Sequence, residues 1–316
     1  MSKPSRTTSP DRPAPAVRFA WHHLRGEVPA DWEVARFSVE DRDGRLEFAN
    51  RDGLQATASW EPCEREPDRL TTMTAFLANN LLGRKEAQRR GLRSSDVRTA
   101  DVGPFLVGWL DETLPVQALA YDRAGARLIR WIFEGRSTPE GRRAVVEPVL
   151  RSCDFNDDPK VCEYRLFGIR AVLPRDYRIE DLVVLPANVM MSFEGETSRS
   201  RVVLRRWGLA GHLLGGGDLG DFYARVVRTN KYEILSCEPC AINGGDGRRV
   251  RFTAPRQHHG DRYMARRWKN GLAYVWHDRE DNRIGAFEQI GPDKHVELPP
   301  ETVPGLSVGP APAKDS

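Results

Sequence analysis

Cys237-Glu238-Pro239-Cys240 is the pair of side chains with the most direct chemical potential in this sequence. Two thiolates at that spacing can ligate zinc, or can cycle between dithiol and disulfide when the first cysteine caps a helix. A structural zinc site needs two further ligands, and no second Cys-x-x-Cys is present. Cys153 and Cys162 are too far apart to supply one, and His258-His259 lies well downstream of Cys240. The redox version wants a strand running into a helix, whereas Ala241-Ile242-Asn243-Gly244-Gly245 reads as a turn. Two reduced thiols at the end of a strand are the preferred reading. Zinc or redox chemistry at Cys237 and Cys240 is the alternative.

Other groups invite chemistry and weaken on inspection. Gly215-Gly216-Gly217-Asp218-Leu219-Gly220 satisfies G-x-G-x-x-G, but Asp218 and Asp221 would repel a phosphate at the helix start meant to hold it. A loop followed by an Asp helix cap explains the same letters. His22-His23 and His258-His259 are adjacent pairs; neighbours on a strand point to opposite faces, so they read as solvated loop histidines. Basic residues gather at Arg84–Arg93, Arg248–Arg251 and Arg266-Arg267-Trp268-Lys269. The last, with Trp276 nearby, offers partner-binding candidates in Arg266, Arg267, Trp268 and Trp276, weighed against a plain solvated strand face. There is no Gly-x-Ser-x-Gly, His-Glu-x-x-His or P-loop, so no catalytic residue is assigned and no cofactor is expected.

Composition narrows the class. At 316 residues the chain is long enough for two domains, and 40% hydrophobic with 29% charged residues is a globular balance. A net charge of +3 from 48 basic and 45 acidic residues is poor support for a nucleic-acid partner. No apolar run approaches the roughly 20 residues of a membrane span, and Met1–Pro15 lacks the apolar centre of a secretory signal. Five cysteines, an odd number, are expected as reduced thiols in the cytoplasm.

The elements that must position these groups follow from hydrophobic spacing. Residues 1–16 and 299–316 are Pro-rich and apolar-poor, so both are expected to be disordered tails. A first domain over 17–158 opens with an antiparallel meander: a strand carrying Val34 and Phe37, then Leu46–Phe48, then Leu54–Trp60. Asp68 caps a helix striped by Leu70, Met73, Phe76, Leu77 and Leu81. Strands around Phe105–Leu110, Val116–Tyr121 and Leu128–Phe133 come next, then a closing helix, Arg142–Cys153, in which Pro148 implies a kink or a later start. A polar stretch, Asp154–Pro159, is read as the linker. The second domain, 159–298, starts with a single strand over Tyr164–Val172 and repeats the meander. A helix carrying Phe222, Tyr223, Val226 and Val227 follows. Strands near Tyr232–Cys237, Arg249–Thr253, Tyr263–Trp268 and Leu272–Trp276 come after it, with Asn270-Gly271 as a hairpin turn and a short helix near Arg283–Ile290.

Leu173-Pro174-Arg175-Asp176-Tyr177, Phe193 and Trp207 follow in the same order as Val28-Pro29-Ala30-Asp31-Trp32, Phe48 and Trp60, and the spacing from Trp32 to Phe48 equals that from Tyr177 to Phe193. This suggests one folding unit present twice. The Leu173-Pro174-x-x-Tyr177 opening, the Trp207 strand, the Tyr263–Trp276 hairpin and the Val149-Leu150-Arg151-Ser152 ending together resemble the PsbP-like, or Mog-type, α/β/α sandwich. The resemblance implies an α+β fold of two tandem related domains, each an antiparallel sheet covered by helices, and a non-enzymatic binding or assembly role toward a protein partner. It assigns no functional residue, and fold alone is a weak warrant for function. A small-ligand binder using the concave side of one sheet is neither helped nor hurt.

Overall fold

Strands dominate the computed structural model, which describes residues 16–22, 24–40, 42–82, 93–136, 138–155, 158, 160–229, 232–243, 245–253, 270–292 and 308–309. The contacts divide the chain into two units that change over at Asp157–Asp158. The described part is antiparallel sheet with few helices, and no helix in it is long and apolar enough to cross a membrane. The α+β expectation is therefore corrected toward β: runs expected as loop or helix went into strands.

The first unit opens with a hairpin, β1 (Ala16–Trp21) and β2 (Leu24–Pro29). Its sheet has the order β3-β4-β5-β9-β8-β7-β6, built from β3 (Glu33–Phe37), β4 (Gly44–Asn50), β5 (Gly53–Pro62), β6 (Arg98–Val102), β7 (Phe105–Trp109), β8 (Val116–Asp122) and β9 (Arg127–Phe133). On one face lies α1 (Arg69–Phe76), capped by the Asp68 carboxylate accepting from the Thr71 amide and continuing as a π-helical turn, Leu77–Leu82. Met73 and Leu77 bury against Leu119 and Val97, with Phe76 at the edge under the Arg130 guanidinium, 4.8 Å from its ring. On the other face Phe19 meets Phe48 edge-on at 5.2 Å, and Phe48 stacks on Trp131 at 5.8 Å. The closing helical run is α2 (Pro139–Gly141), a π-turn (Arg142–Val146) and α3 (Glu147–Ser152). A widened turn just ahead of Pro148 takes up its missing N–H, in place of a later start. Ser152 Oγ accepts from the Glu27 amide at 2.8 Å, fastening α3 to β2. The expected linker begins with a strand instead: β10 (Asp154–Phe155) pairs with Arg25 and Leu24 of β2.

The second unit has the same plan. Its opening hairpin, β11 (Val161–Leu166) and β12 (Ile169–Pro174), replaces the single strand expected over Tyr164–Val172. Phe167 and Gly168, both left-handed, make the turn between them (φ 52 and 71). Strands β13 (Tyr177–Leu185), β14 (Asn188–Gly195), β15 (Arg201–Gly208), β16 (Glu233–Ile242), β17 (Gly245–Thr253), β18 (Asn270–Asp278), β19 (Arg283–Gly291) and β20 (Val308–Gly309) form a sheet of order β13-β14-β15-β19-β18-β17-β16-β20. After α4 (Ala210–Leu214), α5 (Leu219–Thr229) buries Leu219, Phe222, Tyr223 and Val227 on one face of that sheet. Tyr164 packs on Phe193 at 4.7 Å on the other face.

Three expectations here are corrected. Arg283–Ile290 is a central strand and not a helix, paired with both β15 and β18. Its continuous burial matches a strand covered on both faces, which leaves no alternation for the sequence to display. Asn270-Gly271 is not a turn but the start of β18, pairing with Thr253 and Phe252. Glycine is needed there because the Phe252 ring lies where a side chain would go. The expected tails lose Ala16 to β1 and Val308–Gly309 to β20. Arg84–Gly91, the strand over Tyr263–Trp268 and the rest of both tails lie outside the described residues.

The registers of the two units match at many pairs, although β4 and β5 slip between Phe48 and Ala49 where β14 and β15 do not. Ala16 pairs with Pro29 and Val161 with Pro174, and His22 (φ 45) stands where Phe167 stands, first in the turn. Val34 pairs with Phe48 and Ile179 with Phe193, and the register then slips at the same step, before Arg36 and before Asp181. Asp122 pairs with Arg127 and Asp278 with Arg283, with left-handed Ala126 (φ 48) and Asn282 (φ 51) just ahead of the returning strand. The two tryptophans do not correspond. Trp60 pairs with Gly44 and Ile129, and the residue in that register in the second unit is Arg206, paired with Val189 and Gly285. Trp207 lies one step on, so it faces Phe222 of α5 at 5.3 Å, whereas Trp60 faces His22 at 5.5 Å.

Phe48 and Phe193 are fully buried at matching positions. Phe48→Ala and Phe193→Ala are each expected to cost about 3–5 kcal/mol. Denaturant unfolding measures this, and a loss under about 1 kcal/mol for either would remove it from the core.

Candidate functional site

Cys237 and Cys240 sit on β16, in antiparallel register with Val250 and Gly247 of β17. Three steps along a strand turn two side chains to opposite faces and set them roughly 10 Å apart. Cys240 is accordingly buried and Cys237 exposed. That separation exceeds the span a disulfide can bridge, about 7 Å between Cα atoms. Burial pushes both thiols up from their ordinary value, with the Arg248 guanidinium opposing it. A raised thiol is a poor nucleophile and a poor ligand at neutral pH. Among the described residues no three His, Cys, Asp or Glu side chains gather as metal ligands do. The fork of Arg248 is instead committed to Asp218 at 2.7 Å. This hydrogen bond, followed by that from the Gly220 amide, holds the Asp218 carboxyl below its usual range. Asp218 thus occupies the amide that a phosphate would need at the start of α5.

Of the aromatic and basic partner candidates, Arg266, Arg267 and Trp268 lie outside the described residues, as do His23, His258 and His259. Trp276 is half-buried on β18. His22 is not the solvated loop residue expected: it is buried, with its ring 5.0 Å from Trp21.

Three cavities gather polar side chains. In the first unit a space of about 180 Å3 lies beside Trp109, whose ring carries the Arg142 guanidinium at 4.1 Å. In the second unit a space of about 230 Å3 opens between α5 and the sheet, lined by Arg201, Arg205, Tyr223, Tyr232 and Glu288. Arg205 Nε donates to Glu288 at 2.8 Å on the adjacent strand, and the Glu288 side chain is only 4% exposed. Tyr223 is buried beside them, and desolvation, with the Glu288 carboxylate next, raises its phenol well above the ordinary value. Arg201 donates to Ser192 at 2.7 Å and pairs with Glu180 at 3.1 Å, completing a polar row under the helix. The third cavity, about 300 Å3, lies on the opposite face of this sheet and is lined by Arg170, Arg206, Trp276, Asp278, Asp281 and Arg283, among others.

None of Arg205, Arg206, Tyr223 and Glu288 stands out in the sequence. The one local signal is a charged residue in the middle of an apolar strand, as in Val202–Trp207 and Ile284–Ile290. Which cation meets which anion depends on the β15–β19 pairing, and no local pattern reveals it.

No family model matches the chain, and no curated protein matches it. Among solved structures it is similar to cyanobacterial PsbP (CyanoP) from Synechocystis sp. PCC 6803, determined in solution. The identity is 14%, the TM-score 0.32, and the match covers 43% of this chain and 82% of that one.

The Tyr223 environment fixes a pH dependence. Its phenol is raised in the folded state, so the stability it contributes is complete below the unfolded tyrosine pKa of about 10 and is lost as pH climbs through the folded value. Tyr223→Phe is expected to cost about 1–3 kcal/mol at neutral pH and to flatten the loss of stability above about pH 10. Denaturation midpoints measured across that range check both; an unchanged alkaline slope counts against the assignment.

Proposed function

We propose that the chain is a non-enzymatic protein-binding or assembly factor made of two copies of one PsbP-like folding unit. The duplication is supported by the shared strand order, the shared register slip and the matching left-handed turn residues. What the copies have in common is framework: Phe19 and Tyr164 on the opening hairpins, Phe48 and Phe193 on the sheets, Trp131 and Phe287 on the strands that pair with β5 and β15. The polar groups under the helix of the second unit are not shared. Glu288 has Ile132 in its register, and Arg205 has Ser59. A fold repeated without the polar groups under that helix fits a binding scaffold better than a repeated catalytic centre.

The observation that carries the reading is an exposed apolar corner of the second unit. Val184 (40% exposed) and Leu185 (54%) end β13, which is an edge strand among the described residues. Exposed Pro186 and left-handed Ala187 (φ 59) make the turn, and the Gly208 amide donates to the Ala187 carbonyl at 2.8 Å. Next to Gly208 stands Leu209, 59% exposed and also left-handed (φ 57). Holding a leucine left-handed costs roughly 1–2 kcal/mol, and leaving its side chain in water recovers nothing inside the unit. An apolar segment of a partner protein, laid along the β13 edge, would cover all of these residues. The thiol geometry counts against the metal or redox alternative at Cys237 and Cys240. The reduced cysteines keep the cytoplasm as the proposed compartment.

A partner recovered on the full chain from native lysate, purified and rebound, tests this. Leu185→Asp with Leu209→Asp is expected to weaken rebinding at least about tenfold while the melting temperature holds, since both side chains are exposed. Unchanged rebinding would exclude this corner, and failure to recover any stoichiometric partner would count against the binding role itself.

A further inference from the structure

We propose that the cavity under Trp276 in the second unit binds a small organic anion, one with a carboxylate or phosphate head on a flat ring. The site is a departure from the first unit at one row of the sheet. There, Gly44, Trp60, Ile129 and Ala120 lie side by side on β4, β5, β9 and β8. A side chain at Gly44 would come within 2.8 Å of the Trp60 ring, so the indole lies over that glycine and fills the row against His22. The same row in the second unit reads Val189, Arg206, Gly285 and Trp276. Here the indole comes from β18 and lies across Gly285, and the place of Trp60 is taken by a guanidinium. The fold does not require a cation there.

Among the described residues, the charges around the cavity leave Arg206 without a carboxylate, and Asp278 without a cation, in direct contact. Arg170 Nε is committed to Glu163 at 2.6 Å, and Arg283 is paired with Asp281 at 3.1 Å. Asp278 accepts from the Asp281 amide at 3.2 Å. Arg206 makes no hydrogen bond or ion pair among the described residues. It is half-buried against the Phe167-Gly168 turn, where a side chain at Gly168 would meet its Nη1. Burial and the neighbouring Arg283 charge both press it to lose its proton, with the Asp281 carboxylate opposing them, and a guanidinium keeps its proton at neutral pH. A planar, half-buried fork with no hydrogen-bond partner among the described residues is a site for a carboxylate or phosphate oxygen pair. The Trp276 face beside it supplies an apolar wall for a ring, and about 300 Å3 holds one aromatic ring with its head group.

Titration of the full chain with phenyl phosphate, benzoate, inorganic phosphate and benzyl alcohol tests the proposal by calorimetry and by the indole resonance of Trp276, assigned through Trp276→Phe. Saturable binding of phenyl phosphate or benzoate is expected, with the preferred head group set by which is tighter. Benzyl alcohol, lacking the charge, is expected to bind at least about tenfold more weakly. Arg206→Gln should weaken the aryl anion by about tenfold or more and leave benzyl alcohol unchanged. Arg206→Trp, which restores the side chain of the first unit, should abolish both. No shift of the Trp276 indole with either aryl anion would overturn the proposal whatever the variants do. So would undiminished binding to Arg206→Gln, or inorganic phosphate binding as tightly as phenyl phosphate.

Discussion

Everything in each unit depends on an aromatic contact that locks the opening hairpin onto one face of the sheet. Phe19 against Phe48, with Trp131 stacked beneath, does this in the first unit, and Tyr164 against Phe193 in the second. Once the hairpin covers that face, the helix has only the other to bury on, and the sheet becomes closed on both sides. Side chains then sort by the parity of the strand. One residue of slip moves a side chain from the hairpin compartment to the helix compartment. The register slip before Arg36 and Asp181 is therefore a constraint and not an irregularity, since it fixes which residues of the meander face inward in both units.

That sorting explains what the sequence revealed and what it hid. The first meander alternates well enough that β4 and β5 are legible, as is the Asp68 cap of α1, while β14 and β15, buried in runs, are legible through their match to the first meander. The Pro and aromatic spacing that suggests a repeat falls on matching positions: Pro29 and Pro174 each end the second strand of an opening hairpin, and Phe48 and Phe193 each meet a hairpin aromatic. The Trp60 and Trp207 match was misleading. The β4–β5 and β14–β15 turns differ in length, and the one-step shift beyond them put the two rings on opposite faces. β19 was misread because a strand buried on both sides has no polar beat, and Asn270-Gly271 because glycine was serving ring packing and not a turn.

The candidate sites were less legible than the fold. Cys237 and Cys240 drew attention by spacing alone, and strand geometry separates them. Arg205 and Glu288 meet only because β15 and β19 are neighbours, although much of the second unit lies between them in the chain. The buried pair itself is weak evidence of stabilisation, because desolving both charges offsets most of their attraction. Its value is to specify: an arginine and a glutamate placed diagonally across β15 and β19, with Arg205 paired to Ala286 and Glu288 to Val203, penalise any other register of those two strands. Tyr223, buried beside the same carboxylate, ties α5 to that choice.

The short strand Val308–Gly309 pairs with Ala241 and Ile242 at the far end of β16. It covers the amides and carbonyls of that end of β16, beside the buried Cys240 thiol. A bare sheet rim templates the addition of further strands from other molecules, a route to aggregation that folded proteins guard against. Val308–Gly309, in a segment that looks dispensable by composition, thus acts as a short selvedge at one end of that rim.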